Sequence, residues 1–370
     1  MRATEATADA RRYMEICNAC RYCEGYCAVF PAMELRREFT DGDLGYLANL
    51  CHNCRGCFYA CQYAPPHEFG INLPKTFAQI RNQTYEEYAW PPPLAGMFRR
   101  NGLVVSMSTA LGIAAVLILT MLWQSPDVLY GAHTGAGSFY AVIPYHAMVS
   151  VGTVTFVYAL LALAMGFANF WRDAAKGKGA VEGASLLQAL CDIFTLRNLS
   201  GGGHGCNDRD EAFSESRRWL HHFMFYGFLL CFASTSVATI YHHWLGWVAP
   251  YELLSLPVVL GTAGGIGLLI GTAGLIWLKV TGDQEPTARE LLGADMALLV
   301  LLALAAFTGL ILLGLRSTGA MGVLLAIHLG VILALFLTLP YSKMVHGVYR
   351  GAALLIYAIE KRHAAPAHAE

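Results

Sequence analysis

The sequence of 370 residues is 56% hydrophobic and only 14% charged, with a mean hydropathy of +0.44. This composition is typical of a membrane protein and argues against two or three water-soluble domains. The formal net charge of −1 does not favour nucleic acid as a partner. The first thirty residues are polar and lack the apolar core of a secretory signal, so we expect a cytoplasmic N-terminus.

Eight of the eleven cysteines lie in two short runs near the N-terminus. Both runs have the spacing Cys-x2-Cys-x2-Cys-x3-Cys, which is typical of bacterial ferredoxins that hold two [4Fe–4S] clusters. In that pattern three thiolates of one run bind one cluster, and the fourth thiolate crosses to the neighbouring cluster. We therefore expect two ligand sets: Cys17, Cys20, Cys23 and Cys61 for one cluster, and Cys51, Cys54, Cys57 and Cys27 for the other.

Structural zinc is the main alternative for these thiols. Zinc closes at four ligands, usually from paired Cys-x2-Cys elements, and would leave the further thiols of each run without a role. Iron–sulfur clusters also suit the reducing compartment in which disulfides are rare. One departure from the ferredoxin pattern is that Pro31 and Pro65 follow the last cysteine at four residues instead of directly, which leaves the local turn open.

Residues 1–95 form the predicted cytoplasmic head, and the Trp-Pro-Pro-Pro run over 90–93 predicts a stiff linker. Beyond it lie six apolar stretches, each long enough to cross a hydrocarbon layer of ~30 Å. They are centred on residues 102–124, 143–168, 219–245, 255–279, 295–315 and 321–341.

These segments predict a mainly α fold, in which a ferredoxin-like helical head with two [4Fe–4S] clusters is fused to a transmembrane bundle of about six helices. The predicted domains are the head, a cytochrome b-like membrane domain over 96–345 with a cytoplasmic loop over 169–218, and an amphipathic cytoplasmic tail over 346–370.

The distribution of basic residues predicts the orientation of the spans. Eleven of the 25 Lys and Arg precede the first span and seven lie between residues 169 and 218. The connections near 125–142 and 246–254 contain none, and the connection near 316–320 contains only Arg316. Because cytoplasmic loops carry the excess of Lys and Arg, we expect the head and both termini on the cytoplasmic side.

Histidines near the ends of the spans are candidate haem ligands, because ionisable groups at membrane depth are usually functional. His328 and His346 differ by 18 positions, so one continuous helix would place both on the same face near opposite membrane surfaces. His221 and His222 begin the third span at its cytoplasmic end.

The preferred pair for a cytoplasmic-side haem b is His222 with His346, and His221 is the close substitute. A second haem on the far side would use His328 with either His146 or His242, and one haem is expected before two. Two neutral imidazoles from facing helices are a common ligand set for such a haem. The alternative is that these histidines only anchor helix ends or bond across helices.

The glycine-rich segment over 199–206 is interpreted as a plain loop, with partner docking or shielding of a cluster as the alternatives. A resemblance to a known family rests on four features of the sequence. They are the doubled cysteine runs, this glycine-rich segment, the Arg-Arg-x2-His-His motif over 217–222 and the Ser-Thr-x6-His motif over 234–242. The sequence resembles the tricarballylate/citrate-utilization protein B family over nearly its whole length.

That resemblance implies a multi-pass protein of the bacterial inner membrane. It would reoxidise the reduced flavin of a partner FAD-dependent tricarballylate dehydrogenase and pass electrons to the quinone pool. The chain has no flavin or nicotinamide fingerprint, so oxidation of the organic substrate is expected in the partner. The alternatives are a heterodisulfide reductase-like or nitrate reductase-like subunit with another donor, and a redox sensor.

Overall fold

The computed structural model describes residues 4–364 of the chain. Over this range the chain forms helices and turns without a β-strand, and its one isolated bridge joins Cys206 to Ser214. The prediction of a mainly α fold is confirmed.

The N-terminal head contains five helices with a common buried core. They are α1 (Glu5–Cys20), α2 (Val29–Glu34), α3 (Asp41–Leu50), α4 (Gly56–Tyr59) and α5 (Leu73–Tyr88). Thr40 and Asp43 form a capping box that starts α3, and Phe77 of α5 is fully buried in the core. The first cysteine run begins in the last turn of α1 and the second follows α3 directly, so helix ends position both runs.

The remaining helices of the chain follow after a 3₁₀ helix over Pro92–Arg100. They are α6 (Asn101–Trp123), α7 (Pro126–Leu129), α8 (Ser138–Val142), α9 (Tyr145–Ala174), α10 (Gly183–Phe194), α11 (Ser216–Leu245), α12 (Leu256–Thr281), α13 (Leu292–Leu315), α14 (Met321–Thr338) and α15 (His346–Ala364). Six of them, α6, α9, α11, α12, α13 and α14, are long and apolar enough to cross a membrane. The predicted bundle of six helices is confirmed, with ends displaced by a few residues.

Glycines allow the closest contact in the bundle, which lies between α11 and α12. A Cβ atom added at Gly264 of α12 would lie 2.8 Å from the carbonyl oxygen of Gly227 and from the amide nitrogen of Cys231. Small residues at such positions let two helix backbones approach each other in a bilayer.

The C-terminal segment was predicted to be an amphipathic cytoplasmic tail over 346–370. In the described part, α15 packs into the core of the head, where Tyr349, Ala353 and Ile356 are buried. Its last turns are also tied to the head by an ion pair between Glu360 and Arg36, with 2.6 Å between nitrogen and oxygen. The apolar face that suggested an amphipathic surface helix is therefore an internal packing face.

His328 and His346 do not share one continuous helix. Helix α14 ends at Thr338, and two 3₁₀ turns, Leu339–Tyr341 and Lys343–Val345, precede α15. Pro340 lies in this break and lacks the N–H that an α-helix interior requires. The five-turn spacing inferred from the sequence therefore does not hold.

The segment over 169–218 is more structured than a hydrophilic loop. Helix α9 extends into it as far as Ala174, α10 packs against α15, and a 3₁₀ helix spans Arg197–Gly203. This segment brings the chain back over the head before α11 begins at Ser216.

Candidate functional site

Four thiols of the head surround one cavity of about 230 Å³. These are Cys17, Cys20, Cys23 and Cys61, named here the first thiol group. Three come from the first run and one from the second, so the fold brings together the set that the crossed ferredoxin spacing predicts.

The other four cysteines form a second set of neighbours, Cys27, Cys51, Cys54 and Cys57, named here the second thiol group. After burial, the charges of Cys54 and Cys51 contribute most to raising the pKa of Cys27, and those of Cys54, Cys27 and Cys51 contribute most to raising the pKa of Cys57. Cys27 therefore lies with the thiols of the other run.

The backbones of the two runs share an unusual conformation. Arg21 and Arg55 occupy equivalent places in the runs, and both have positive φ, 55° and 68°. A positive φ is uncommon for residues other than glycine, and it turns the chain sharply. In the second run the amide of Asn53 also donates to Cys51 Sγ at 3.4 Å. The sequence repeat thus extends to the local backbone geometry.

The thiol groups fit a metal cluster in charge and arrangement. Burial, followed by the charges of Cys23, Cys61 and Cys20, raises the pKa of Cys17 to about 12. Burial and the neighbouring sulfurs also raise the pKa of Cys27 and of Cys57 well above the usual thiol range. Without metal these thiols would stay protonated at neutral pH, whereas bound metal would supply the positive charge that stabilises their thiolate form.

Within residues 4–364, no three His, Cys, Asp or Glu side chains converge closely enough to hold a single metal ion. A zinc tetrahedron needs such convergence, with Zn–S distances of about 2.3 Å. A [4Fe–4S] cluster has four irons, each with its own thiolate, so its ligands surround a larger volume. Four thiols around one cavity are as many as one such cluster needs.

The two thiol groups differ in their exposure to solvent. Around the first group, Arg21, Tyr22 and Glu24 are exposed, and 69% of Tyr22 is accessible. By contrast, none of the residues over 51–60 is exposed.

The glycine-rich segment covers the second thiol group. Leu199 and Cys206 form a small buried cluster with Cys54, and the amide of Asn207 donates to the carbonyl of Cys54 at 2.9 Å. A Cβ atom at Gly201 would lie 3.8 Å from Cys54 Sγ. This packing favours the shielding interpretation of the segment over the plain loop.

A larger cavity of about 350 Å³ lies between the head and the long apolar helices. His52 and Asn53 of the second cysteine run line it from the head. Leucines and phenylalanines of α11, α12 and α13 form its apolar part. Two arginines that line the cavity hold the second cysteine run beside it, because Arg81 and Arg350 donate to the carbonyl oxygen of Cys51 at 3.0 and 3.1 Å.

Two histidines face each other in this cavity, His221 of α11 and His346 at the start of α15. Their ring centroids are 6.2 Å apart and their planes are almost perpendicular, at 85°. An imidazole nitrogen lies about 2 Å from a bound metal and its ring centre about 1 Å behind it, so two imidazoles on one metal place their centres about 6 Å apart.

The His346 ring also has the hydrogen bonding expected of a metal ligand. Nδ1 of His346 lies 2.5 Å from the carbonyl oxygen of Lys343, so Nδ1–H donates and Nε2 is left as the ligand atom. Burial, followed by Arg350 and His221, lowers the pKa of His346 well below its usual value, which favours the neutral ring. Nδ1 of His221 is buried and has no hydrogen-bond partner among the described residues.

The structure does not bring His222 to His346. The His222 ring points to the C-terminal end of α10, where Nε2 lies 3.2 Å from the carbonyl oxygen of Thr195. A helix turns by about 100° per residue, so His221 and His222 cannot both face the cavity. The structure therefore brings His221, the close substitute, next to His346 in place of the preferred His222.

Basic side chains line the head side of the same cavity. Lys279 and Lys343 pair with the buried Asp295. By contrast, Arg81 and Arg350 donate to backbone carbonyls and have no carboxylate partner among the described residues. Burial and the nearby Arg81 lower the pKa of Arg350 to about 10. This end of the cavity therefore favours an anionic group.

The far-side histidines do not form the expected pairs. His328 donates to or accepts from Thr308 Oγ1 at 2.9 Å and packs on Gly309 of α13. His242 instead stacks on Tyr145, with ring centroids 4.2 Å apart, and His146 lies beside the same tyrosine at 5.5 Å. Of the predicted haem ligands in the described part of the chain, His221 and His346 on the head side are the pair from two different helices that lie next to each other.

The fold and the cysteine runs define a multi-pass membrane protein with a ferredoxin-type, iron–sulfur electron-transfer head. Comparisons with known families identify it further. The family model of citrate utilization protein B matches residues 96–367, and the model of the Fer4-like domain of citrate utilization protein B matches residues 10–87. The chain belongs to the citrate utilization protein B family.

A relative described as citrate utilization protein B from Escherichia coli is 47% identical over 360 residues. The match covers 97% of this chain and 94% of the relative. No solved structure matches the chain.

Sequence reasoning missed the charged residues of the large cavity. Lys279 and Asp295 lie at the ends of apolar spans, where an ionisable side chain is a signal of function. Arg81 and Arg350 gave no such signal, because they lie in polar segments far apart in the sequence.

Proposed function

We propose that this protein carries electrons from a reduced flavoprotein, through two [4Fe–4S] clusters, to haem b and then to quinone in the membrane. The observation that carries the proposal is the position of the second cysteine run. His52 and Asn53 of that run form part of the wall of the cavity in which His221 and His346 face each other. One cluster and one candidate haem site are therefore neighbours.

In this proposal the first thiol group holds one cluster and the second thiol group holds the other. The crossed ligand sets are supported by the cavity that the first group surrounds and by the neighbours of Cys27. Shared runs would keep the two clusters close, as in bacterial ferredoxins.

The difference in exposure supports an order for the two clusters. The first group lies beside the exposed Tyr22, so a soluble donor reaches its cluster most directly. The second group is covered by residues over 199–208, and its run is bonded to Arg81, Arg217 and Arg350 of the cavity wall. The first thiol group would therefore hold the cluster that meets the donor, and the second thiol group would hold the cluster nearer the membrane.

His221 and His346 would hold haem b through their imidazoles, and the leucines and phenylalanines of the cavity would surround its apolar part. Arg81 and Arg350 would offset the negative charge of its carboxylates. When bound, haem supplies a one-electron carrier between the clusters and quinone. The perpendicular, buried imidazoles would fix its orientation and exclude water from the iron.

We assign the donor to an FAD-dependent dehydrogenase similar to tricarballylate dehydrogenase, which oxidises the organic substrate. The support is the family itself, since the relative from Escherichia coli is described as a citrate utilization protein. The distribution of Lys and Arg supports an inner-membrane protein whose head and termini face the cytoplasm, where such a donor is found.

Single substitutions of the adjacent histidines test the proposal. His221→Ala and His346→Ala should each abolish the low-spin b-type spectrum, because each removes one axial ligand. His222→Ala is the matched control on the next position of α11, and its haem spectrum should remain.

In all three variants the non-haem iron content should stay at about eight per chain, since the clusters use only thiolates. The clusters should also remain reducible by dithionite. Normal haem spectra in both His221→Ala and His346→Ala, or loss of haem in His222→Ala alone, would refute this ligand pair. Zinc in place of iron in anaerobically purified protein would refute the electron-transfer function.

A further inference from the structure

Helix α10 (Gly183–Phe194) has three distinct faces around its axis. At about 100° per residue, Ser185, Ala189 and Asp192 fall on one side, and all three are buried against the rest of the protein. A second face carries the large apolar side chains, and a third carries small or polar ones. The apolar face consists of Leu186, Leu187, Leu190 and Phe194, and the third face of Ala184, Gln188 and Cys191.

The apolar face is not covered by the chain itself. Between 41% and 63% of each of its four side chains is exposed, with Leu187 the most exposed. Contiguous apolar patches of this kind mark an interaction surface. The side of α10 that packs inward carries Ser185, Ala189 and Asp192, with Ile193 at its edge, so the four exposed apolar side chains do not serve the core.

The position of α10 shows which environment meets this face. Tyr226 of α11 donates from its hydroxyl to the carbonyl of Phe194 at 2.7 Å, and Arg218 donates to the carbonyl of Thr195 at 3.0 Å. Tyr226 lies ten residues into a candidate membrane span that begins at Ser216. The C-terminal end of α10 is therefore beside the first turns of a span.

Side chains of the same part of α11 are also exposed and aromatic. Trp219, Phe223 and Tyr226 are 63%, 46% and 42% accessible. Aromatic residues of this type concentrate at the boundary between lipid and water. The apolar face of α10 is thus continuous with a surface that the span presents to lipid.

We propose that α10 lies in the plane of the membrane and inserts its apolar face at the boundary between lipid headgroups and acyl chains. Helices that lie at this boundary bury one apolar face among the headgroups and acyl chains, and the exposed face of Leu186, Leu187, Leu190 and Phe194 provides such a face. The chain continues from α10 into the 3₁₀ helix Arg197–Gly203, which covers the second thiol group. The lipid contact would therefore hold this cover in place against the membrane surface.

Fluorescence quenching of single labelled cysteines tests the proposal. Leu187→Cys and Gln188→Cys are made separately in a Cys191→Ser background and labelled anaerobically with a bimane, with the clusters in place. The full-length proteins are reconstituted in vesicles of phosphatidylethanolamine and phosphatidylglycerol. Quenching is measured with a nitroxide on the lipid acyl chain and with iodide in the water, and iron content confirms that each variant is folded.

The label at position 187 should be quenched several-fold more by the lipid nitroxide than the label at 188, and iodide should show the opposite order. Equal quenching at both positions, or the reverse order, would overturn the proposal. A label at position 187 that is shielded from both quenchers would also overturn it, because the face would then be covered by protein. Leu190→Cys repeats the test on the same face and should behave as position 187 does.

Discussion

The ion pair between Arg36 and Glu360 fixes the helix that carries His346 and Arg350 to the cluster-binding head. Only 4% of the Arg36 side chain and 7% of the Glu360 side chain are exposed. Asp43 also accepts from Arg36 at 2.7 Å, and Lys178 lies 2.8 Å from Asp43 and 3.4 Å from Glu360. The group therefore contains two cations and two anions in balance.

Removing one member leaves an uncompensated charge in a buried place. Glu360→Leu or Arg36→Met alone should destabilise the head by about 3–5 kcal/mol, the usual cost of breaking a buried pair. For a domain of this size that loss lowers the melting temperature by about 12–40 °C. The double variant keeps the Asp43–Lys178 pair and restores the balance, so it should be markedly more stable than the sum of the two single effects predicts.

Thermal loss of the cluster absorption in full-length protein measures this effect, with anaerobic samples of the wild type, both single variants and the double variant. A positive coupling of about 2 kcal/mol or more between the two sites is expected. Strictly additive effects would refute the reasoning, since they would show that the two side chains do not stabilise each other. Single variants as stable as the wild type would refute it too.

Other predictions concern the clusters, the bundle, acid stability and topology. Cys27→Ser should remove the cluster of the second thiol group and lower the non-haem iron from about eight to about four per chain. If electron paramagnetic resonance showed loss of the other cluster, the crossed assignment of Cys27 would be contradicted. Gly264→Ala should destabilise the bundle by about 1–3 kcal/mol in thermal unfolding, because the added Cβ would overlap the backbone of α11. Gly152→Ala is the control and should be neutral, because no atom lies within 4 Å of a Cβ added there. Burial raises the pKa of Asp43, but hydrogen bonds from basic side chains and a threonine outweigh it and lower the pKa to about 2. The contribution of Asp43 to the stability of the head should be complete above about pH 5 and lost as the pH falls through about 4 to 2. Asp43→Asn should remove this dependence of the melting temperature on pH, as measured by circular dichroism. A reporter inserted near Gly135 should be active outside the cytoplasm and one after the last residue inside it, and the reverse pattern would overturn the predicted orientation.

The sequence by itself determined the class of the protein, because its signals are local. Cysteine spacing within a run depends on a few residues of chain, and a span needs only about twenty consecutive apolar residues. The two cysteine runs and the six spans could therefore be located without any knowledge of tertiary contacts. The helix at 145–174 was found for the same reason, although its C-terminal end extends beyond the apolar stretch.

Only the tertiary structure decided which distant residues meet. His221 and His222 are adjacent and chemically alike. Which of the two rings lies beside His346 depends on how α11 is rotated about its axis relative to α15, and the local sequence does not encode that rotation. The break at Pro340 likewise separated two histidines that the spacing had placed on one helix. Arg350 and Arg81 became part of the cavity because α15 folds back into the head. Such contacts depend on packing among elements hundreds of residues apart, and a local pattern carries no information about that packing.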